Sequence, residues 1–227
     1  MTKPTPHYTG HRARLRERFL DKGADGLANY ELLELILFAA SARGDVKPLA
    51  KELIKTFKTF GGVVTADIDD LRNVKGLGDA GIAALHAVQV GAEYTLKEKA
   101  SALPIINSWQ ALLDYIHFSM GHKKIEHFRV LFLDKKNKLL SDELQSEGTV
   151  DHTPVYPREV VKRALELSAT AILLVHNHPS GDPAPSEADI QMTEAIAKAA
   201  AALNIRLHDH VIAAKTDYFS FKSHGLI

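Results

Sequence analysis

In the stretch His176-Asn177-His178-Pro179-Ser180-Gly181-Asp182-Pro183-Ala184-Pro185-Ser186-Glu187-Ala188-Asp189, the residues able to do chemistry fall at fixed intervals: H-x-H, seven residues, S-x-x-D. Two imidazoles separated by one residue, at the end of the apolar run Ala171 to Val175, leave a β-strand on the same face, because strand side chains repeat every second residue. They can therefore share one metal ion. A loop rich in Pro and Gly leads to Ser186, and Asp189 falls three residues into an expected helix, where its carboxylate can supply a third ligand. Two His and one carboxylate, with the fourth position left to water, form the ligand set of a catalytic zinc, whereas a structural zinc takes four protein ligands. The plain alternatives are solvent-facing loop histidines and a helix capping box, the latter worth about 1 kcal/mol. A capping box accounts for Ser186 and Asp189 but gives no reason for the two histidines upstream. The spacing points first to a metallohydrolase.

The rest of the composition narrows the field. The chain has 227 residues, enough for two domains, and its 28 basic and 28 acidic residues cancel, so any nucleic-acid contact must come from a local patch. No cysteine is present, which removes disulfides, thiolate zinc sites and cysteine nucleophiles, while twelve histidines make imidazole the available soft ligand. The N-terminus lacks an apolar signal core, and runs such as Leu35 to Ala40 are too short to cross a bilayer. The expectation is a cytoplasmic protein with no membrane contact.

The elements that must position the motif follow from hydropathy patterning. Residues from about 9 to 100 read as an all-α domain: Thr9 as a cap before a basic helix carrying Leu15 and Phe19, a helix over Asn29 to Phe38, a third over Val46 to Phe57, and a helix over Asp67 to Arg72. Residues 97–104 combine charge, small residues and a proline, so the boundary is placed there, giving domains 1–100 and 104–227. Beyond Pro104 strands and helices alternate. A helix over Ser108 to Met120 precedes a strand over His127 to Asp134, a polar turn, and a partner strand over Leu139 to Gln145. A helix over Pro157 to Leu167 then feeds the strand Ala171 to Val175, and a helix over Ser186 to Leu203 precedes the strand Ile205 to Ile212. This half is an α/β domain whose sheet is flanked by helices, with the histidines at a strand end, where loops commonly hold sites.

The motif at His176, His178, Ser186 and Asp189 resembles that of the JAMM (MPN+) metalloprotease family, and the surrounding Asn177-His178-Pro179-Ser180-Gly181-Asp182-Pro183 is similar to the form in RadC-like proteins. Glu147-Gly148-Thr149, Val155 to Ala164, Asp209-His210, Gly10 to Arg18 and Tyr30 to Phe38 resemble the same subgroup, so the likeness spans nearly the whole chain. The resemblance implies a cytidine deaminase-like α/β domain with a mixed sheet, and a zinc ion held by His176, His178 and Asp189. It also implies cleavage of an amide bond in a peptide or isopeptide. The general base it calls for stands at the start of the strand before the metal motif, where Glu126 is found. Glu143 and Glu147 are rivals, because spacing alone does not say which strand end lies over the metal. Ser186 would donate its hydroxyl to the developing oxyanion, a role compatible with capping, since its oxygen can accept while its hydrogen donates. Asp182 reads as a turn residue or an acceptor behind the ligands. His208 and His210 form another H-x-H, either supporting the site, serving as surplus ligands, or merely exposed on their strand.

Two further readings belong to the N-terminal half. Val74-Lys75-Gly76-Leu77-Gly78 to Leu85, within a segment of about 67–90, has a helix-hairpin-helix-like form, in which glycines let backbone N–H groups approach a DNA phosphate. Lys75, Gly76 and Gly78 are the candidate contacts, with Arg12 to Arg18 as a basic patch; Asp79 and Asp69-Asp70 oppose them, and a tight ligand-free turn is the plain alternative. A DNA-binding accessory protein in repair or recombination is thus the second functional class. A metal-binding interaction module without turnover is the third, although an intact ligand set and a candidate Glu argue against it.

Overall fold

The computed structural model describes residues 10–41, 43–148, 155–215 and 217–227. Thr9, expected as a helix cap, lies outside them. The chain divides into two compact units, Met1–Ala92 and Glu93–Ile227, and the division falls inside a helix.

Among the described residues the first unit is helical: α1 (His11–Lys22), α2 (Asn29–Ala40), α3 (Lys47–Phe57), α4 (Phe60–Val64), α5 (Ile68–Arg72) and the start of α6 (Asp79–Ala102). Its core is built from Leu33 and Leu37 of α2, Ala50 and Leu53 of α3, Val63, Leu71, Leu77 and Leu85. Thr59 caps α4 by accepting from the Gly62 N–H. Between α5 and α6 the chain turns through Gly76 at φ 91°, a left-handed conformation that a side chain would strain. Residues 97–102, within the stretch where composition places the domain boundary, are the last turns of α6.

The second unit contains α7 (Trp109–Met120), β1 (His127–Leu133), β2 (Leu139–Glu147), α8 (Pro157–Glu166), β3 (Ala171–Asn177), α9 (Glu187–Ala201), β4 (Arg206–Ala213) and β5 (Tyr218–Ser220). The strands form a sheet in the order β2-β1-β3-β4-β5, with β3 and β4 parallel and the other neighbours antiparallel, so the sheet is mixed. Side-chain alternation sends Leu131, Leu133, Leu173 and Val175 to one face, packed with Leu112, Tyr115 and Ile116 of α7. Phe128, Val130, Phe132, Ile172 and Leu174 go to the other, packed with Val160 and Ala164 of α8 and Ile196 and Ala200 of α9. Both faces being covered, β3 is buried at every position, which is why it reads as an unbroken apolar run instead of an alternating one.

A polar lock ties this framework together. Arg129 of β1 donates through Nε and Nη2 to both carboxylate oxygens of Asp142 on β2, through Nη2 to the Tyr115 hydroxyl and through Nη1 to the Ser119 hydroxyl on α7. Tyr115 in turn donates to Asp142 at 2.6 Å. Burial, with the Asp142 charge, pushes the Tyr115 hydroxyl far above its usual range, so it stays a donor. No described helix is long and apolar enough to cross a membrane.

Candidate metal centre

Because α9 connects the parallel strands β3 and β4, its N-terminus lies at the carboxyl end of β3, the end where open α/β sheets place ligands. His176 is the penultimate residue of β3 and points to the α9 face, stacked on Phe128 at 6.0 Å between ring centres. His178 follows just past the strand, and Asp189 is the third residue of α9. One ligand atom from each lies within 4.8 Å of the others. The His176 and His178 Nε2 atoms are 2.9 Å apart, and Asp189 carboxylate oxygens lie 3.3 Å and 3.6 Å from them respectively.

The donor set fits a cation. The His178 Nδ1 lies 2.8 Å from the Asp182 carbonyl, which can only accept, so Nδ1 carries a ring proton and Nε2 is the nitrogen turned to the other candidate ligands. Asp189 Oδ1 is buried without a hydrogen-bond partner among the described residues. Two ring nitrogens and a buried carboxylate thus converge on one point, where a positive charge, a proton or a metal ion, is needed to offset the negative one. The ionisation states agree with that use. Burial lowers the His176 pKa to about 4 against the pull of the Asp189 charge, so the ring is neutral at ordinary pH. Burial works against ionisation of Asp189, yet its contacts with His178, His176 and Ser186 hold the carboxyl well below the usual range. The His178 pKa is raised, chiefly by its bond to Asp189, with burial opposing and the Asp182 carbonyl and the Glu126 charge adding to it.

Ser186 and Asp189 form a reciprocal capping box, Ser186 Oγ accepting from the Asp189 N–H and Asp189 Oδ2 accepting from the Ser186 N–H at 2.7 Å. The Ser186 hydroxyl also donates to Asp189 Oδ2 at 2.6 Å. Its hydrogen is therefore engaged with the Asp189 carboxylate and not free for an oxyanion in this arrangement. Asp182 caps the loop turn by accepting from the Ala184 N–H, while its carbonyl, not its carboxylate, meets His178.

The three candidate carboxylates separate by register. Glu143 sits opposite Val130, itself opposite Leu174, two residues below the level of His176, and it is gripped by Arg163 at 2.8–3.0 Å and by Ser141. Glu147 is paired with His127 at 3.2 Å, on a residue of the opposite parity to Phe128. Glu126 immediately precedes β1, two residues before Phe128, the partner of His176, and its charge is felt at His178. The segment carrying it is held by Asn177, the middle residue of H-x-H. The Asn177 side chain accepts from the His127 N–H at 2.8 Å and donates to the carbonyls of Lys123 at 3.3 Å and Ile125 at 3.1 Å. Sequence reasoning passed over Asn177; its place between two candidate ligands on a buried strand, pointing to the opposite face, was the available signal.

His210 was weighed as exposed or supporting, and it is fully buried, with its Nε2 2.7 Å from His176 Nδ1 and its Nδ1 2.6 Å from Thr193 Oγ1. Its partner in the second H-x-H, His208, bonds instead to Asn137 in the β1–β2 turn at 2.6 Å. In the first unit, Arg12 donates to the carbonyls of Ser41 and Gly44 and lies over the Phe38 ring, and Arg18 pairs with Glu31. Those two guanidinium groups fasten α1 to neighbouring segments of that unit. A Cβ at Gly76 or Gly78 would meet nothing within 4 Å, so the backbone beside Lys75 is open.

Residues 106–226, which carry the mixed sheet and its His176, His178 and Asp189 group, match the family described as RadC-like JAB domain. Residues 9–83 match the UPF0758 N-terminal family. A UPF0758 protein of Rhodobacter capsulatus is 55% identical over 213 residues, covering 94% of this chain and 100% of that protein. Another, from Ruegeria pomeroyi, is 52% identical over 217 residues, covering 96% and 97%. The chain belongs to the UPF0758 family of proteins with a RadC-like JAB domain.

Proposed function

We propose that the second unit is a zinc-dependent hydrolase of amide bonds in peptides or isopeptides, with His176, His178 and Asp189 holding the metal. The observation that carries this reading is the convergence of the Nε2 atoms of His176 and His178 and a buried carboxylate oxygen without a hydrogen-bond partner at the end of β3. A zinc ion bound there supplies Lewis acidity toward a carbonyl and water acidified to a pKa of about 7. Glu126 takes the proton of the attacking water and returns it to the leaving amine, as general base and then general acid. Asn177 braces Glu126 through the peptide groups on either side of it. Ser186 orients Asp189, and its hydroxyl serves the substrate oxyanion only on turning away from that carboxylate.

The test is zinc analysis of the purified chain beside cleavage of a panel of peptide and lysine-isopeptide substrates. Zinc retained with cleavage abolished in Glu126→Gln supports the reading; undiminished cleavage in that variant overturns the role of Glu126. A second reading, DNA binding by the first unit, draws on the open backbone at Gly76 and Gly78 beside Lys75, while the commitment of Arg12 and Arg18 to internal contacts weakens it. It requires a salt-dependent shift of duplex DNA that Lys75→Ala reduces.

A further inference from the structure

We propose that Thr193 and His210 form a proton-ordered relay that makes His176 present its Nε2 lone pair to the metal, so that both act as positioning residues for metal uptake. The proposal rests on the reading of His176, His178 and Asp189 as ligands and deepens it. The order starts at Thr193. Its Oγ1 lies 2.5 Å from the Asp189 carbonyl oxygen, and two oxygens that close need a proton between them, which only the hydroxyl can give. With its single hydrogen so used, Thr193 Oγ1 can only accept from His210 Nδ1 at 2.6 Å. The His210 ring proton is therefore on Nδ1 and its Nε2 bears a lone pair. That lone pair faces His176 Nδ1 at 2.7 Å, so the His176 proton is on Nδ1 and its Nε2 is bare.

The relay is shielded from solvent. Thr193 is 1% exposed, His210 0% and His176 2%, so water does not supply substitute partners. Phe221 stacks on His210 at 4.5 Å and Phe128 meets it edge-on at 5.8 Å, which holds the ring in plane with the relay. His178 reaches the same tautomer by a separate bond to the Asp182 carbonyl. The relay begins on the backbone of Asp189, so the helix that delivers one ligand also sets the proton on another. Metal-binding histidines generally have such a partner on the far ring nitrogen; here it is a neutral histidine backed by a hydroxyl.

The test uses the full chain as wild type, Thr193→Val and Thr193→Ser, with zinc affinity measured by chelator competition and imidazole tautomers by long-range ¹H–¹⁵N NMR of the metal-free protein. Wild type is expected to show both His210 and His176 protonated on Nδ1. Thr193→Val, which keeps the shape but removes the hydroxyl, is expected to bind zinc about 10–100-fold more weakly, and Thr193→Ser to restore affinity. A wild-type His210 protonated on Nε2, or undiminished zinc affinity in Thr193→Val, overturns the relay. Should wild type take up no zinc, the metal reading fails, while the tautomers still decide the relay by themselves.

Discussion

Asp189 shows how much one side chain does at this site: Oδ2 closes the capping box with Ser186 while Oδ1 is left for a ligand. Removing a capping interaction alone costs about 1 kcal/mol. Asp189→Ala is therefore expected to leave a folded chain that no longer retains zinc, as is His176→Ala, both read by metal analysis beside circular dichroism. Acid should act through His178. Its pKa is raised above 6.5 while that of His176 is lowered to about 4, so between those values His178 is protonated without metal and His176 is not. Binding then expels one proton, and zinc affinity should fall about tenfold per pH unit on acidification through that window. A slope of two protons per metal contradicts the assignment of the neutral ring to His176.

At the scale of elements, the site depends on how strands and loops are braced. Asn177 fastens the segment from Lys123 to His127 to β3, and Asn177→Ala removes all three bonds. Zinc binding should survive, amide hydrogen exchange over residues 123–128 should accelerate, and turnover should fall toward that of Glu126→Gln. Unchanged exchange contradicts the brace. The Asp142 side chain is covered and Arg129 is partly buried beside it, so Asp142→Ala, which strands the guanidinium, should cost several kcal/mol, at most about 3–5 kcal/mol, in denaturant unfolding. Glu143→Ala, at the partly exposed Arg163 pair, should cost far less. The ligand motif was legible because its members lie within fourteen consecutive residues whose strand and helix periods are local. His210 was not, because its role arises from the register that sets it opposite Leu174 across β3 and β4. Strand β5 escaped notice for a similar reason: three residues have no periodicity of their own and form a strand by pairing with β4.

Over the whole molecule, the division into a helical first unit and a mixed α/β second unit follows from the change of hydropathy period near residue 104, and the residues proposed for the metal site fall in the second. The boundary itself was harder to read, since Lys97-Glu98-Lys99-Ala100 suits a linker by charge and a helix by propensity, and packing of Leu96 and Ala100 into a core resolves it as helix. The functional reading rests on one metal held in the second unit. Zinc-edge X-ray absorption on the purified full chain tests this most directly. The account expects about one zinc per chain, with imidazole scattering from two histidines at about 2.0–2.1 Å and the remaining ligands oxygen. A chain that retains no zinc after saturation and buffer exchange, or an absorption spectrum without imidazole scattering, contradicts it.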